Sequence, residues 1–173
     1  MNIASNPWSF GTTDFTATSA IGGGSVTLNA DGTVTFAGIA ALTFNAGAES
    51  NLGFTAIGVT NSLYNGFYSR ISGASGATTF VMQPQFKIAA GTAASTAGTL
   101  AQCMYRSQVR IEDLSWQNVT AAGDTLDIRD RSGNIIWQAK GSGAGVQNRG
   151  KVFWVNGFTP ITLTSGIVLV TVN

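Results

Sequence analysis

The chain has 173 residues, of which 10% are charged, 44% hydrophobic and 10% aromatic, and its formal net charge is +1. An average soluble domain carries roughly 25% charged residues, so uncharged polar side chains and glycine must cover much of this surface. The apolar content argues against a disordered chain, because such chains are poor in apolar residues and rich in charge. Nine Lys and Arg without a basic cluster give no site for nucleic-acid phosphates.

The sequence lacks the residue types on which most catalytic sites are built. It has no histidine and a single cysteine, Cys103, which excludes a Ser-His-Asp triad, a Cys-His pair and a histidine-ligated metal. Asp124, Asp127 and Asp130 are typical of solvated turn residues, and a calcium site built from them is the alternative. We therefore expect no enzymatic activity, no cofactor and no bound metal.

No segment is typical of export or of a membrane span. The first seven residues contain neither a basic residue nor an apolar core, so we expect no signal peptide. No stretch reaches the roughly 18 uninterrupted apolar residues of a membrane helix. We expect a soluble protein that has no membrane partner and no nucleic-acid partner.

The N-terminal residues 1–24 form a distinct zone that ends in three consecutive glycines. Trp8 and Phe10 are isolated apolar residues within it, which favours an extended arm that docks on a neighbouring subunit. The alternative is a strand of the chain's own domain, joined by a flexible link. We count Trp8 and Phe10 as candidate assembly contacts.

The rest of the chain shows the pattern of short β-strands. Residues 25–29 and 33–36 alternate apolar and polar side chains around Asp31 and Gly32, which predicts a hairpin. Further strands are expected at 39–44, 53–59, 67–71, 78–82, 105–111 and 151–155. Residues 89–102 are rich in Ala, but two glycines and several Ser and Thr make them a weak helix former.

The C-terminal third predicts a second hairpin and a buried strand. Residues 125–129 and 134–139 flank a turn at 130–133. The last strand, 166–172, is apolar on both faces, so we expect it inside a sandwich or at a subunit contact. Its residues Ile167 and Leu169 are therefore further candidate assembly contacts.

The composition changes near residues 103–107, after which most of the charges and three of the four Trp residues occur. We predict an all-β protein, with a small β-barrel followed by a β-sandwich and an extended N-terminal arm. The predicted boundaries are 1–24 for the arm, 25–104 for the small barrel or sandwich, and 105–173 for the second sandwich.

Two parts of the chain resemble structural proteins of tailed bacteriophages. In the first, residues 39–51 are followed by Asn-Gly-Phe-Tyr at 65–68, Thr-Thr-Phe-Val at 78–81 and Gly-Thr at 98–99, as in a small virion β-barrel. The second resembles a compact virion β-sandwich. Its motifs are Trp116 with Ala-Gly-Asp at 122–124, Asp-Arg-Ser-Gly-Asn-Ile-Ile-Trp at 130–137, and Ser-Gly at 165–166 before an apolar strand.

The resemblance implies a structural component of the virion that is assembled in the host cytoplasm and has no enzymatic activity. The expectation that follows is a capsid decoration (cement) protein, which forms a homo-oligomer and contacts the major capsid protein or other virion proteins. The alternative is a tail, fibre or baseplate module that recognises a host surface glycan. That alternative predicts an exposed aromatic cluster with polar neighbours at one end of a barrel.

Overall fold

A computed structural model describes residues 6–15, 18–43, 53–103, 105–148 and 153–173 of the chain. Across these residues the fold is all-β, as predicted, with two antiparallel sheets of seven strands and two short 3-10 turns at 12–15 and 62–64. No helical segment of these ranges has the length and apolar content that crossing a membrane requires. The start of the predicted arm, and most of the resemblance segment at 39–51, lie outside the described residues.

The first sheet is formed by residues between 18 and 102. Its strands are β2 (Thr18–Ala20), β3 (Ser25–Leu28), β4 (Val34–Leu42), β5 (Phe54–Ile57), β6 (Gly66–Ser72), β7 (Ala77–Pro84) and β8 (Thr99–Gln102), in the spatial order β2-β8-β5-β6-β7-β4-β3. The predicted hairpin is confirmed as β3–β4, and Asp31 Oδ1 accepts a hydrogen bond from Thr33 N at 2.9 Å in its turn. The sheet curves, because Ser19 Oγ on β2 donates to Ala40 O on β4 near the opposite edge.

The concave side of this sheet holds one apolar core. Alternate residues of the strands point into it, as the period-2 side-chain geometry of a strand requires. Its fully buried members include Val26, Phe36, Phe54, Tyr68, Phe80, Met82 and Leu100.

The second sheet is formed by β1 together with the strands after residue 104. These strands are β1 (Trp8–Gly11), β9 (Tyr105–Val119), β10 (Thr125–Arg129), β11 (Ile135–Lys140), β12 (Gly145–Asn148), β13 (Phe153–Leu163) and β14 (Ile167–Val172). Their order is β1-β14-β9-β13-β10-β11, and β12 also pairs with β9. The second predicted hairpin is confirmed as β10–β11. A separate core, around the fully buried Trp116, lies against this sheet.

Strand β1 of the N-terminal segment packs on its own chain rather than extending from it. Strand β1 pairs with β14, which places Trp8 opposite Val170 and Phe10 opposite Val168. The side chains of Trp8 and Phe10 are 6% and 0% exposed, and the Phe10 ring stacks on Phe158 with centroids 4.7 Å apart. The alternation of apolar and small residues at 8–11 gives β1 one apolar face, which the core buries. The candidate contacts Trp8 and Phe10 are thus core residues, in agreement with the alternative of a strand.

The same segment then reaches the other sheet. After the turn at 12–15, β2 pairs with β8, so the N-terminal residues add one edge strand to each sheet. Asn6 extends the first of these pairings, since its side-chain amide donates to Val172 O at 2.7 Å and accepts from Val172 N at 3.0 Å.

Replacing Phe10 by Ala should lower the free energy of unfolding by about 3–5 kcal/mol, because a fully buried aromatic ring leaves a cavity. Urea unfolding followed by tryptophan fluorescence measures this change. Ser9→Ala, on the opposite face of the same strand, is the control and should change stability by less than about 0.5 kcal/mol. If Phe10→Ala had the same urea midpoint of unfolding as wild type, β1 would not stabilise the chain.

Candidate functional site

Three residues of the second set of motifs, Trp116, Asp124 and Ser165, meet in one hydrogen-bonded network. Trp116 Nε1 donates to Ser165 O at 2.8 Å, and Ser165 Oγ donates to Asp124 Oδ2 at 2.5 Å. The same Asp124 oxygen accepts from Thr120 N at 3.1 Å and Ala121 N at 2.9 Å. The network joins β9 to the turns that precede β10 and β14, so these polar residues hold turns in place.

The other two acidic residues considered for calcium also have partners within the chain, Asp127 on strand β10 and Asp130 in the β10–β11 turn. Asp127 forms an ion pair with Arg129, with Oδ2 and Nη2 3.0 Å apart. Asp130 Oδ1 accepts from Ser132 N at 2.8 Å and from Asn134 N at 2.9 Å. In the described ranges no three His, Cys, Asp or Glu side chains are grouped so that they could hold a metal ion.

Ile167 and Leu169 lie on the outer face of the second sheet. Their neighbours on β14, Val168 and Val170, point inward and are fully buried, whereas Ile167 and Leu169 are partly exposed. The register places Ile167 between Gly11 and Gln117, and Leu169 between Ser9 and Ser115. We call the face formed by these six residues the β14 face.

The β14 face is apolar at its centre and uncharged. Its apolar residues come from the central strand β14, and small or neutral polar residues of β1 and β9 flank them. Asp113, opposite Thr171, lies towards one end. On the adjacent β12, the side chain of Val146 is 60% exposed. Burying such a face removes apolar area from water at little polar desolvation cost.

The aromatic residues divide between the cores and the surface. Tyr64, Tyr68 and Phe158 are fully buried, and burial raises the pKa of the Tyr68 hydroxyl above its usual range. Trp154 on β13 is 63% exposed and lies opposite Arg110 on β9. Phe67 contributes to a concave surface between the two sheets.

This concave surface is a cleft of about 650 Å³ at the boundary of the sheets. It is lined by Asn65, Gly66, Phe67, Ser69, Gln85, Phe86, Arg131 and Ser132. The first six come from β6 and the segments beside it in the first sheet, and the last two come from the β10–β11 turn of the second. We call it the intersheet cleft.

Direct contacts hold the two walls of the intersheet cleft together. Thr55 Oγ1 donates to Arg131 O at 3.0 Å and lies 3.2 Å from Thr159 Oγ1. Arg131 N donates to Asn156 O at 2.9 Å. Nearby, the buried Cys103 places its Sγ 3.8 Å from Phe158 O. The backbone at Arg131 is therefore fixed from both sheets.

Five cleft residues belong to motifs noted in the sequence, but no sequence pattern predicts that they share a cleft; they are Asn65, Gly66, Phe67, Arg131 and Ser132. Arg131 was expected only as part of a turn, and Phe86 lies just beyond the end of a predicted strand. An apolar aromatic residue outside every predicted strand was the available signal, because such a residue needs a surface to pack against. That surface is β6, where Phe86 packs against Gly66 and Tyr68, and the pattern around Phe86 does not predict this pairing.

Comparison with known proteins gives no relatives from which a function could be transferred. No protein-family model matches the chain. No curated protein matches it. No solved structure matches it either.

Asp124 should make stability depend on acid pH. Hydrogen bonds from Ser165 Oγ, then from the amides of Ala121 and Thr120, lower its pKa from 3.8 to about 2. A lowered folded-state pKa gives stability that is complete above about pH 4 and is lost as the pH falls to about 2. The free energy of unfolding, measured by urea titration at each pH, should therefore fall over this interval.

Asp124→Asn should show a shallower fall, because the carboxylate that titrates is absent. Ser165→Ala should give an intermediate slope, since it removes the largest contribution to the shift. Equal slopes for Asp124→Asn and wild type would contradict this assignment.

Proposed function

We propose that the chain is a structural component of a bacteriophage particle, most specifically a capsid decoration (cement) protein that acts as a homo-oligomer. The β14 face carries the proposal, since it presents Ile167 and Leu169 among uncharged neighbours. Its partners are the major capsid protein or other virion proteins, and the virion assembles in the host cytoplasm. The resemblance of the motifs to virion proteins supports the same role.

The mechanism is passive. A decoration protein gains affinity by adding contact area between neighbouring subunits, and each weak contact is strengthened by multivalency on the lattice. A face with few charges suits this role, because charged groups are depleted at the centre of protein interfaces. Because Trp8 and Phe10 are buried, the proposed contact is on β14 rather than on an N-terminal arm.

We also propose how the strands of each sheet are arranged into a barrel and a sandwich. We infer that the first sheet is a small barrel, because β2 and β4 approach each other across its curved edges. We infer that the second is a sandwich in which the long strands β9 and β13 pass from one layer to the other. In support, β9 pairs with β13 through residues 105–111 and with β14 through 111–117.

The double variant Ile167→Lys, Leu169→Lys should associate with shells at least about tenfold more weakly than wild type. Two ammonium groups would have to lose water at a face that otherwise buries apolar area. Cosedimentation with purified shells that lack this chain measures binding, and light scattering measures the oligomeric state.

Ile135→Lys is the matched control, since Ile135 is 55% exposed on the edge strand β11 and lies outside the β14 face. Its shell binding should equal that of wild type. Full occupancy of shells by the double variant would exclude the β14 face as the contact.

The copy number in purified particles tests the decoration role itself. A decoration protein should be present in numbers comparable to the major capsid protein, because it follows the symmetry of the shell. Quantitative mass spectrometry of purified particles measures this ratio. A few copies per particle would instead indicate a tail or neck component, and absence from particles would overturn the proposal.

A further inference from the structure

The intersheet cleft has the size and position of a ligand site. Its volume of about 650 Å³ lies within the range of roughly 300–1,000 Å³ for small-molecule sites, which occur preferentially at domain boundaries. A second hollow of about 280 Å³ shares Asn65 and Ser132 with it and continues along the boundary, where Arg129 also lines it. The concave surface is therefore elongated.

Two aromatic rings line the cleft, and one is fixed by close packing. Phe86 lies against the backbone of Gly66, where an added Cβ would be 2.6 Å from the ring. It also packs edge-on against Tyr68, with ring centroids 5.2 Å apart. Gly66 has φ +143°, so both its conformation and its lack of a side chain admit the Phe86 ring. Rigid rings of this kind offer apolar surfaces to a ligand at low entropic cost.

The polar lining is held in defined positions as well. Asn65 Oδ1 accepts from Val59 N at 2.9 Å, which fixes the side-chain amide. Gln85 N donates to Phe67 O at 2.9 Å, which joins the segment after β7 to β6 within the same wall. Amide and hydroxyl groups beside aromatic rings match the alternating hydroxyl groups and C–H faces of a saccharide.

The charge of the lining indicates which kind of saccharide fits. Among the described residues that line the cleft, Arg131 is the cation and none carries a carboxylate. The guanidinium carbon of Arg131 lies 5.8 Å from the centre of the Phe67 ring, in cation–π geometry, while its backbone is fixed from both sheets. Asp130, the preceding residue, uses its carboxylate to hold the turn. An arginine positioned in this way can bind a carboxylate through two parallel hydrogen bonds.

We propose that the intersheet cleft binds an acidic saccharide, with the sugar face against Phe86 and its carboxylate on the guanidinium of Arg131. The neutral side chains Asn65, Ser69, Gln85 and Ser132 bind the hydroxyl groups. This site is independent of the β14 face. The chain could therefore bind saccharide with or without a place on the capsid, and the two proposals can fail separately.

Isothermal titration calorimetry of the full chain tests the site with trigalacturonic acid and sialyllactose, each paired with its neutral counterpart, methyl-esterified trigalacturonate and lactose. Saturable binding to an acidic member, with at least about tenfold weaker binding to its neutral partner, is expected from the loss of a charged hydrogen-bonded pair. Arg131→Gln should weaken binding of the acidic saccharide by about the same factor. Arg131→Lys should retain part of the affinity, because it keeps the charge but not the planar geometry.

Arg110→Gln is the control, since Arg110 lies on the outer side of β9 opposite Trp154 and is not part of the cleft. It should bind like wild type. Unfolding curves of each variant separate lost binding from lost folding, and Ser69→Trp, which blocks the cleft without touching the arginine, provides a second loss variant. The proposal is overturned by absence of binding to both acidic saccharides, by equal binding to the neutral partners, or by wild-type affinity in Arg131→Gln.

Discussion

The pairing of β9 with three other strands is the constraint on which the second sheet depends. Over fifteen residues, β9 pairs with β13 in its first half, and with β14 and β12 in its second half. The remaining strands attach through these partners, β1 to β14 and β10 to β13. The register of β9 also turns Trp116 into the core and places the alternate residues Ser115, which is 8% exposed, and Gln117 on the other face of the sheet. The hydrogen-bond register between β9 and β14 thus determines which residues enter the core and which form the β14 face.

The connection between β8 and β9 has a comparable effect on the boundary between the sheets. Strand β8 ends at Gln102 and β9 begins at Tyr105, so the chain passes directly from one sheet to the other. Thr55 then binds both Arg131 and Thr159 of the second sheet. The short β8–β9 connection and these direct hydrogen bonds together limit how far the walls of the intersheet cleft can separate. A cleft formed by such walls is largely preformed, which lowers the entropic cost of binding.

The positions of the charged residues explain how a chain with few charges forms these surfaces. Several of its carboxylates are used in turns, as Asp31, Asp124 and Asp130 are, and so contribute little to the outer faces of the sheets. The outer surface around β14 is consequently neutral and suited to contact with another protein. Arg131, by contrast, is positioned where a cation has aromatic and amide neighbours. Because the chain has few charged residues, the position of each one indicates how the surface around it is used.

The sequence by itself determined the all-β class and both hairpins, because apolar alternation and turn residues such as Asp31-Gly32 act over a few neighbours. It also excluded histidine-based chemistry outright. Only the tertiary structure decided the place of Trp8 and Phe10, since alternation defines a face but not the partner that covers it. The same holds for the cleft, where Phe67 of the first sheet meets Arg131 of the second. Pairing between distant segments depends on the packing of the whole chain, so local sequence patterns do not predict it.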